Sequence, residues 1–388
     1  MADVVLVSTA DWDHPLWTNK QHVACALLGE GHRILYVDSL GLRMVQPTGR
    51  DLRRVIRRLR RGLSLPRQVR TGLWVWSPLV LPGGNQGIAL MLNRLSLAMG
   101  LRLALWFIEF RRPWLWTYNP LSARLLSLEG FSLCIYHAVD ALQEQPCMPR
   151  DLIDAEEQRL CRLVDQVFVT SPQLKRQLEP HSARIRYDPN VANQDHFAQA
   201  IKVGTAGLPS DLAVIPVPRI GFIGAVSSYK LDFDLVVAVA RSKPLWQFVF
   251  IGPTGEGEPV TDISLLEKEP NIHLLGRRAY EDLPRYCAGF ACGWLPLRLT
   301  PYTEAMFPMK FFEYLSAGLP VVATQIDALR EFSSVAWLCD DTPESFSNAL
   351  TDCLAGHGPD QMSRLALAAQ HTYQARTQRM LAALEALP

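Results

Sequence analysis

Net charge is almost absent from this sequence: 39 Lys and Arg stand against 38 Asp and Glu in 388 residues, a formal +1 at pH 7. With 48% hydrophobic and 20% charged positions, the chain cannot be of the disordered kind, which combines few apolar residues with a large net charge. Its 24 Gly and 27 Pro are too few for a collagen-like or low-complexity chain. The eight cysteines (Cys25, Cys134, Cys147, Cys161, Cys287, Cys292, Cys339, Cys353) show no C-x-x-C spacing. They read as buried free thiols in a reducing cytoplasm. No two of the nine histidines form an H-x-x-x-H or H-E-x-x-H pair, so no metal is expected. G-x-S-x-G, P-loop and G-x-G-x-x-G sequences are also missing. The opening Met1-Ala2-Asp3-Val4-Val5-Leu6-Val7 lacks the basic region and apolar stretch of a signal peptide and reads as a first strand. Asn93, Arg94 and Arg102 interrupt the apolar window from Gly87 to Phe110, which argues against a membrane span of about 20 residues. A helix followed by a buried strand at Leu103 to Ile108 is expected there.

What is present is alternation. Short apolar runs at Val4–Val7, Ile34–Val37, Leu115–Tyr118, Leu133–Tyr136 and Val167–Val169 alternate with helical patterns, the mark of a parallel sheet covered by helices. Thr18 or Asn19 is placed to cap the first helix, which should end near Gly31. Between about 180 and 218 a series of Pro and Gly breaks the pattern. It resumes with strand-like runs at Ile220–Ile223, Phe248–Ile251, Ile272–Leu275, Ala291–Leu295 and Val321–Ala323. Helices are expected near 231–241, 280–288, 309–317 and 343–354, with a closing helix over about 359–384. The expected domains are therefore residues 1–198 and 217–388, joined by a linker at 199–216. Both are of the doubly wound, Rossmann-like α/β class, with ligands at the carboxyl ends of the strands.

The most informative stretch runs from Pro308 through Lys310 and Glu313 to Gly318-Leu319-Pro320-Val321-Val322. Lys310 and the free N–H groups of a first helical turn make an anion site. Glu313 follows on the same side of the helix, where a carboxylate can accept from two neighbouring sugar hydroxyls. An ordinary surface Lys and Glu pair has the same spacing.

The segment resembles the P-x-K-x-x-E-Y-x-A/S-x-G-x-P-V-V signature of retaining family 4 glycosyltransferases of GT-B architecture, particularly bacterial exopolysaccharide and teichuronic acid types. Gly221-Phe222-Ile223-Gly224-Ala225, Asn271 to Arg278 and Tyr280 to Pro284 are similar to neighbouring parts of that class. So are Asp11-Trp12-Asp13 with Trp17, Gln21 and His22, and Tyr187-Asp188-Pro189-Asn190 with Phe197. The resemblance implies two domains facing a cleft and a sugar transferred from a nucleoside diphosphate donor to a saccharide or lipid-linked saccharide. It assigns Glu313 to the ribose, Lys310 and Lys230 to phosphates, Gly224 to close backbone approach, and Arg277 to the base. His137, at a strand end, and Asp140 fall nearest the reacting bond, unless they only cap and start the next helix, and the first loop with Trp12, Asp13 and Trp17 either meets the acceptor or closes the domain interface. The E-x7-E pattern of the class expects its first glutamate at position 305, which is alanine; Glu304 stands next to it. That departure leaves open a catalytically silent scaffold, and a nucleotide-sugar epimerase of the same shape is a further alternative. The D-x-D spacings at Asp11 and Asp232 are read as local structure rather than a metal site, with Asp232 capping a helix.

Charge is unevenly placed. Residues 43–70 hold ten arginines and one aspartate, +9, which leaves −8 for the rest. Leu52, Val55, Ile56, Leu59 and Leu63 form an apolar stripe among Arg53, Arg54, Arg57, Arg58, Arg60 and Arg61. Such a basic amphipathic helix suits an anionic membrane surface, and nucleic acid is not expected. The expected location is cytoplasmic, peripheral on the inner face of the plasma membrane.

Overall fold

A computed structural model describes residues 1–14, 17–41, 65–81, 84–255, 258 and 261–387. The six arginines from Arg53 to Arg61, and with them the basic stripe, lie outside the described residues. By internal contacts the chain forms two compact units, Met1–Asp188 with Thr377–Pro388, and Pro189–Arg376. The segment 199–216, expected to link two domains, falls inside the second unit, and the final residues return to the first.

In the first unit the strands are β1 (Asp3–Val7), β2 (Arg33–Val37), β3 (Arg67–Arg70), β4 (Leu73–Trp76), β5 (Trp114–Thr117), β6 (Leu133–Ala138), β7 (Gln166–Val169) and β8 (Ile185–Tyr187). They lie in the order β3-β4-β2-β1-β5-β6-β7-β8, parallel throughout except for the β3–β4 pair. The central strands are buried on both sides, which is why they read as unbroken apolar runs. Thr18 caps the Asn19–Gly29 helix, with Gln21 completing the capping box.

The second unit holds β9 (Arg219–Ile223), β10 (Gln247–Ile251), β11 (Ile272–Gly276), β12 (Cys292–Leu295), β13 (Val321–Thr324) and β14 (Trp337–Cys339). All are parallel, in the order β11-β10-β9-β12-β13-β14. The strand order turns back between β9 and β12, and in the first unit between β1 and β5. Loops leaving such a switch point diverge and leave room for a ligand.

Several expectations are corrected. Leu103–Ile108 is no strand: the Gly87–Phe107 helix runs through it, because Leu97 and Ala104 continue its buried face and the Ala- and Leu-rich composition favours helix. The tail forms two helices, Gln361–Gln370 and Tyr373–Glu385, divided at His371-Thr372, where the Thr372 hydroxyl accepts from Ala375 N–H. All eight cysteines are free and six are buried, but Cys25 is half-buried and Cys147 exposed. Cys147 occupies a left-handed turn (φ 63°) that carries it to the surface.

On the Arg150–Leu163 helix the buried Glu157 accepts a hydrogen bond from the Tyr136 hydroxyl. Burial pushes its carboxyl up to about 7, against the opposing pull of that hydrogen bond. A carboxyl raised in the folded state contributes stability in acid and loses it as pH rises through the folded value. Between pH 4.5 and about 7.5, wild type should lose roughly 3 kcal/mol relative to Glu157→Gln. Denaturant unfolding of both proteins across that range measures this, and a pH-independent difference would contradict the assignment.

Candidate functional site

The site of the second unit is built on the carboxyl ends of its strands. Gly224 N–H donates to Ile251 O at 2.8 Å, and Gly252 N–H to Gly276 O at 2.9 Å, so three glycines ending or following β9, β10 and β11 are joined in one row. A Cβ on Gly252 would lie 1.9 Å from the Gly224 carbonyl oxygen, and its φ of 148° disfavours any side chain. Gly252 is therefore what permits the backbone to pass close to Gly224. It was missed in the sequence, although a glycine directly after a buried strand was the available signal.

The loops leaving β9 and β12 are stitched together at the switch point. Asp232 N–H donates to Pro296 O at 3.0 Å and Arg298 N–H to Lys230 O at 2.9 Å, around a Leu231–Leu297 bridge. The Lys230 ammonium lies 5.1 Å from the Tyr229 ring centre and 5.5 Å from that of Tyr302. Asp232 caps the Phe233–Ser242 helix by accepting from Leu235 N–H at 3.0 Å, as its position in the sequence suggests. Tyr302 and Glu304 share the Pro301–Ala305 helix. Ala305, where the resemblance expects a glutamate, is fully buried, and Glu304 is half-buried beside it.

Lys310 and Glu313 lie one turn apart on the Met309–Ser316 helix and form an ion pair. This is no surface pair: Glu313 is 3% exposed. Burying a carboxylate requires a partner, and the Lys310 ammonium supplies it while its side chain stays a quarter exposed. The Phe197 ring lies 5.9 Å from that ammonium. His196, next to it, stacks on Tyr280 at 4.2 Å. Burial, and then the Glu313 charge, push the Tyr280 phenol and the Cys287 thiol well up. Asn190 donates its side-chain N–H to Phe307 O at 2.7 Å and holds the chain just before Pro308. Tyr314 Oη accepts from Ile223 N–H at 2.7 Å, tying this helix to the end of β9 beside Gly224. Gly293 leaves room for the Tyr314 ring, since a Cβ there would come within 2.5 Å of it. Asn190 and Phe197 belong to segments already singled out; Tyr314 was read only as part of a signature. Arg277 follows the left-handed Gly276 (φ 70°) and is exposed, whereas Arg278 is held by Asp211 at 2.6 Å and by Tyr286.

In the first unit Trp12 follows β1 and is buried, its ring 5.1 Å from both Trp17 and Tyr36. Trp17 also meets His22 edge-on and lies 5.9 Å from the Arg70 guanidinium. Asp13 pairs with Arg67 at 2.6 Å on the surface. Asp38, unremarked in the sequence, follows β2 and accepts from Trp12 N–H at 2.7 Å and from the Ser77 hydroxyl. Burial pushes its carboxyl up to about 6 against these bonds. His137, near the end of β6, is fully buried and stacks on Tyr118 at 4.8 Å, with Trp116 and Phe168 edge-on. Asp140 lies half-buried just past the strand.

Residues 217–356, which carry every donor-side residue named above from Gly224 to Glu313, match the family model for glycosyl transferases group 1. A putative teichuronic acid biosynthesis glycosyltransferase, TuaH of Bacillus subtilis (strain 168), is 27% identical over 225 residues. That alignment covers 54% of this chain and spans about half the length of the relative, also 54%. Among solved structures, sucrose-phosphate synthase from Thermosynechococcus elongatus superimposes with a TM-score of 0.71 at 15% identity, covering 99% of this chain and 98% of that one. HepE of Anabaena in complex with UDP-glucose gives 0.68 at 14% identity, with both chains fully covered. The two parallel-sheet α/β units are thus the fold of known GT-B glycosyltransferase structures.

Gly252→Ala should cost at least about 2 kcal/mol, since the contact it violates is with backbone. Gly29→Ala, where a Cβ meets nothing within 4 Å, should be neutral or slightly stabilising. Denaturant unfolding of the two variants compares them directly.

Proposed function

We propose that this chain, whose residues 217–356 form a glycosyl transferases group 1 domain, is a glycosyltransferase. It moves a sugar from a nucleoside diphosphate sugar to a saccharide or lipid-linked saccharide, with retention at the anomeric carbon, in cell-surface polysaccharide or glycolipid synthesis. The observation that carries this reading is the buried Glu313 carboxylate held by a partly exposed Lys310, on a helix tied to the Gly224 strand end. An ammonium has three N–H donors and a carboxylate two oxygens, so their mutual bond leaves both with capacity for a ligand. Lys310 and Lys230 take the diphosphate, and Glu313 accepts from the ribose hydroxyls. The row of strand-end glycines lets phosphate approach the backbone, and Arg277 reaches the base. As the glycosidic bond to phosphate breaks, charge grows on the diphosphate, and fixed cations and amides stabilise that state more than the ground state. The leaving diphosphate takes the proton of the incoming hydroxyl.

His137 and Asp140 serve the reacting end of the donor, with Glu304 at the donor sugar. Trp12, Asp13 and Trp17 serve the acceptor. Burial of Trp12 and His137 favours a role in shaping their loops, with Trp17 and Asp13 nearer to ligand. The basic stripe of residues 43–70 brings the enzyme to an anionic membrane, on the cytoplasmic side where nucleotide sugars are available. A silent donor-binding scaffold is the second reading, favoured by the buried Ala305 in place of a glutamate.

A thermal-shift screen of nucleoside diphosphate sugars, UDP-glucose among them, should reveal a ligand adding about 2.7 kcal/mol at 100 times its Kd. With that donor, Lys310→Ala should lower kcat/KM about 10²-fold and Glu313→Ala at least about tenfold. Variants that match wild type would end the enzymatic reading, and a thermal shift without turnover would favour the scaffold.

A further inference from the structure

The Gly87–Phe107 helix presents the reverse of an ordinary surface helix. Ile88, Met91, Leu95, Met99, Leu103 and Trp106 are 52% to 75% exposed, and their spacings of three and four residues make one apolar ridge along its whole length of roughly 32 Å. A helix at a protein surface normally turns polar residues outward. Between Gly87 and Ile108 the only charged residues are two arginines, Arg94 and Arg102. Arg94 and Arg102 lie on the exposed side of the helix, and Arg111 and Arg112 are exposed just beyond it.

We propose that the outer face of this helix docks flat into the headgroup boundary of an anionic lipid bilayer. The helix is long and apolar enough to cross a membrane, with a mean hydropathy of 1.5 over its best 18 residues, but its other face is already committed. Leu97 and Ala104 are buried in the core of the first unit. The Asn93 side chain bonds Leu81 N–H at 2.7 Å and the Gly84 carbonyl at 2.9 Å. Gly100 lies so close to Trp76 that a Cβ would come within 2.7 Å of the indole. Crossing a bilayer would strip all of these contacts, whereas lying in its surface keeps them. Charge selects the occupant. A symmetric second copy would set Arg94, Arg102, Arg111 and Arg112 against their own counterparts with Glu109 as the one exposed carboxylate between residues 87 and 112, while anionic headgroups receive arginines that reach up around a buried apolar ridge. The proposal rests on residues 87–112 alone and does not depend on the assignment of the donor site.

The test is flotation of the full chain with vesicles of phosphatidylcholine alone and of phosphatidylcholine with phosphatidylglycerol in equal parts. Wild type should be recovered with the anionic vesicles, and Leu95→Glu/Met99→Glu should reduce that recovery at least about tenfold. Both positions face solvent, so the double variant should keep its thermal midpoint and any donor-induced thermal shift; Met99→Gln alone is the milder variant should it not. Recovery of the double variant equal to wild type overturns the proposal. So does equal recovery of wild type from both vesicles, or from neither. A wild-type dimer that the substitutions convert to monomer without changing flotation overturns it as well, and makes the ridge an interface between copies.

Discussion

One buried hydrogen bond, from the Ile223 amide to the Tyr314 phenol oxygen, connects the two parts on which the second unit's chemistry depends. Ile223 ends the strand that leads to Gly224, and Tyr314 follows Glu313 on the helix that begins beside Lys310. Neither end is free to drift: Gly293 leaves just the space the Tyr314 ring fills, and Gly252 leaves the space the Gly224 carbonyl fills. The polar groups are thus placed by missing side chains as much as by present ones. A carboxylate buried as deeply as Glu313 is tolerated because its counter-charge comes from the same helix, three residues earlier.

The first unit uses a different device at its own switch point. Its loop after β1 is braced by aromatic rings and by a buried carboxyl, Asp38, that burial pushes up to about 6. Trp12 donates its backbone amide to Asp38 and packs its ring on Tyr36, so the loop is shaped by contacts from β2, the neighbouring strand. The partly exposed Trp17 and Asp13 are then displayed from a rigid base. Loops that present functional groups gain precision from exactly such support beneath them.

The core strands were legible because burial on both faces leaves unbroken apolar runs, as in Val4–Val7 and Val167–Val169. Edge strands fared unevenly: Ile272–Gly276 shows an apolar run, but Arg67–Arg70 falls in the basic window of residues 43–70 without one, since an edge strand can bury little and needs no apolar pattern. Leu103 to Ile108 misled in the opposite sense, because an apolar run of that length has the same composition in a strand as in an apolar helix. At the donor site, Lys310 and Glu313 were legible because their relation is local. Gly252 and the roles of Asn190 and Tyr314 were not, since each acts on a partner 28 to 117 residues away. Asp38 stayed hidden for the same reason; nothing in its own neighbourhood announces Ser77 and Trp12 as partners.

The return of the last residues to the first unit has a consequence for the order in which the molecule is made. Asp188, buried at the end of that unit's sheet, is paired on one oxygen with Arg186 at 3.2 Å and on the other with Arg379 at 3.0 Å, which leaves the ribosome 191 residues later. The half of the protein that is synthesised first is therefore completed last. Until its closing segment arrives, a nascent first unit carries a buried carboxylate without that partner, while the second unit has every residue it needs. Loss of the segment that holds Arg379 would accordingly be felt at Asp188, near the middle of the sequence.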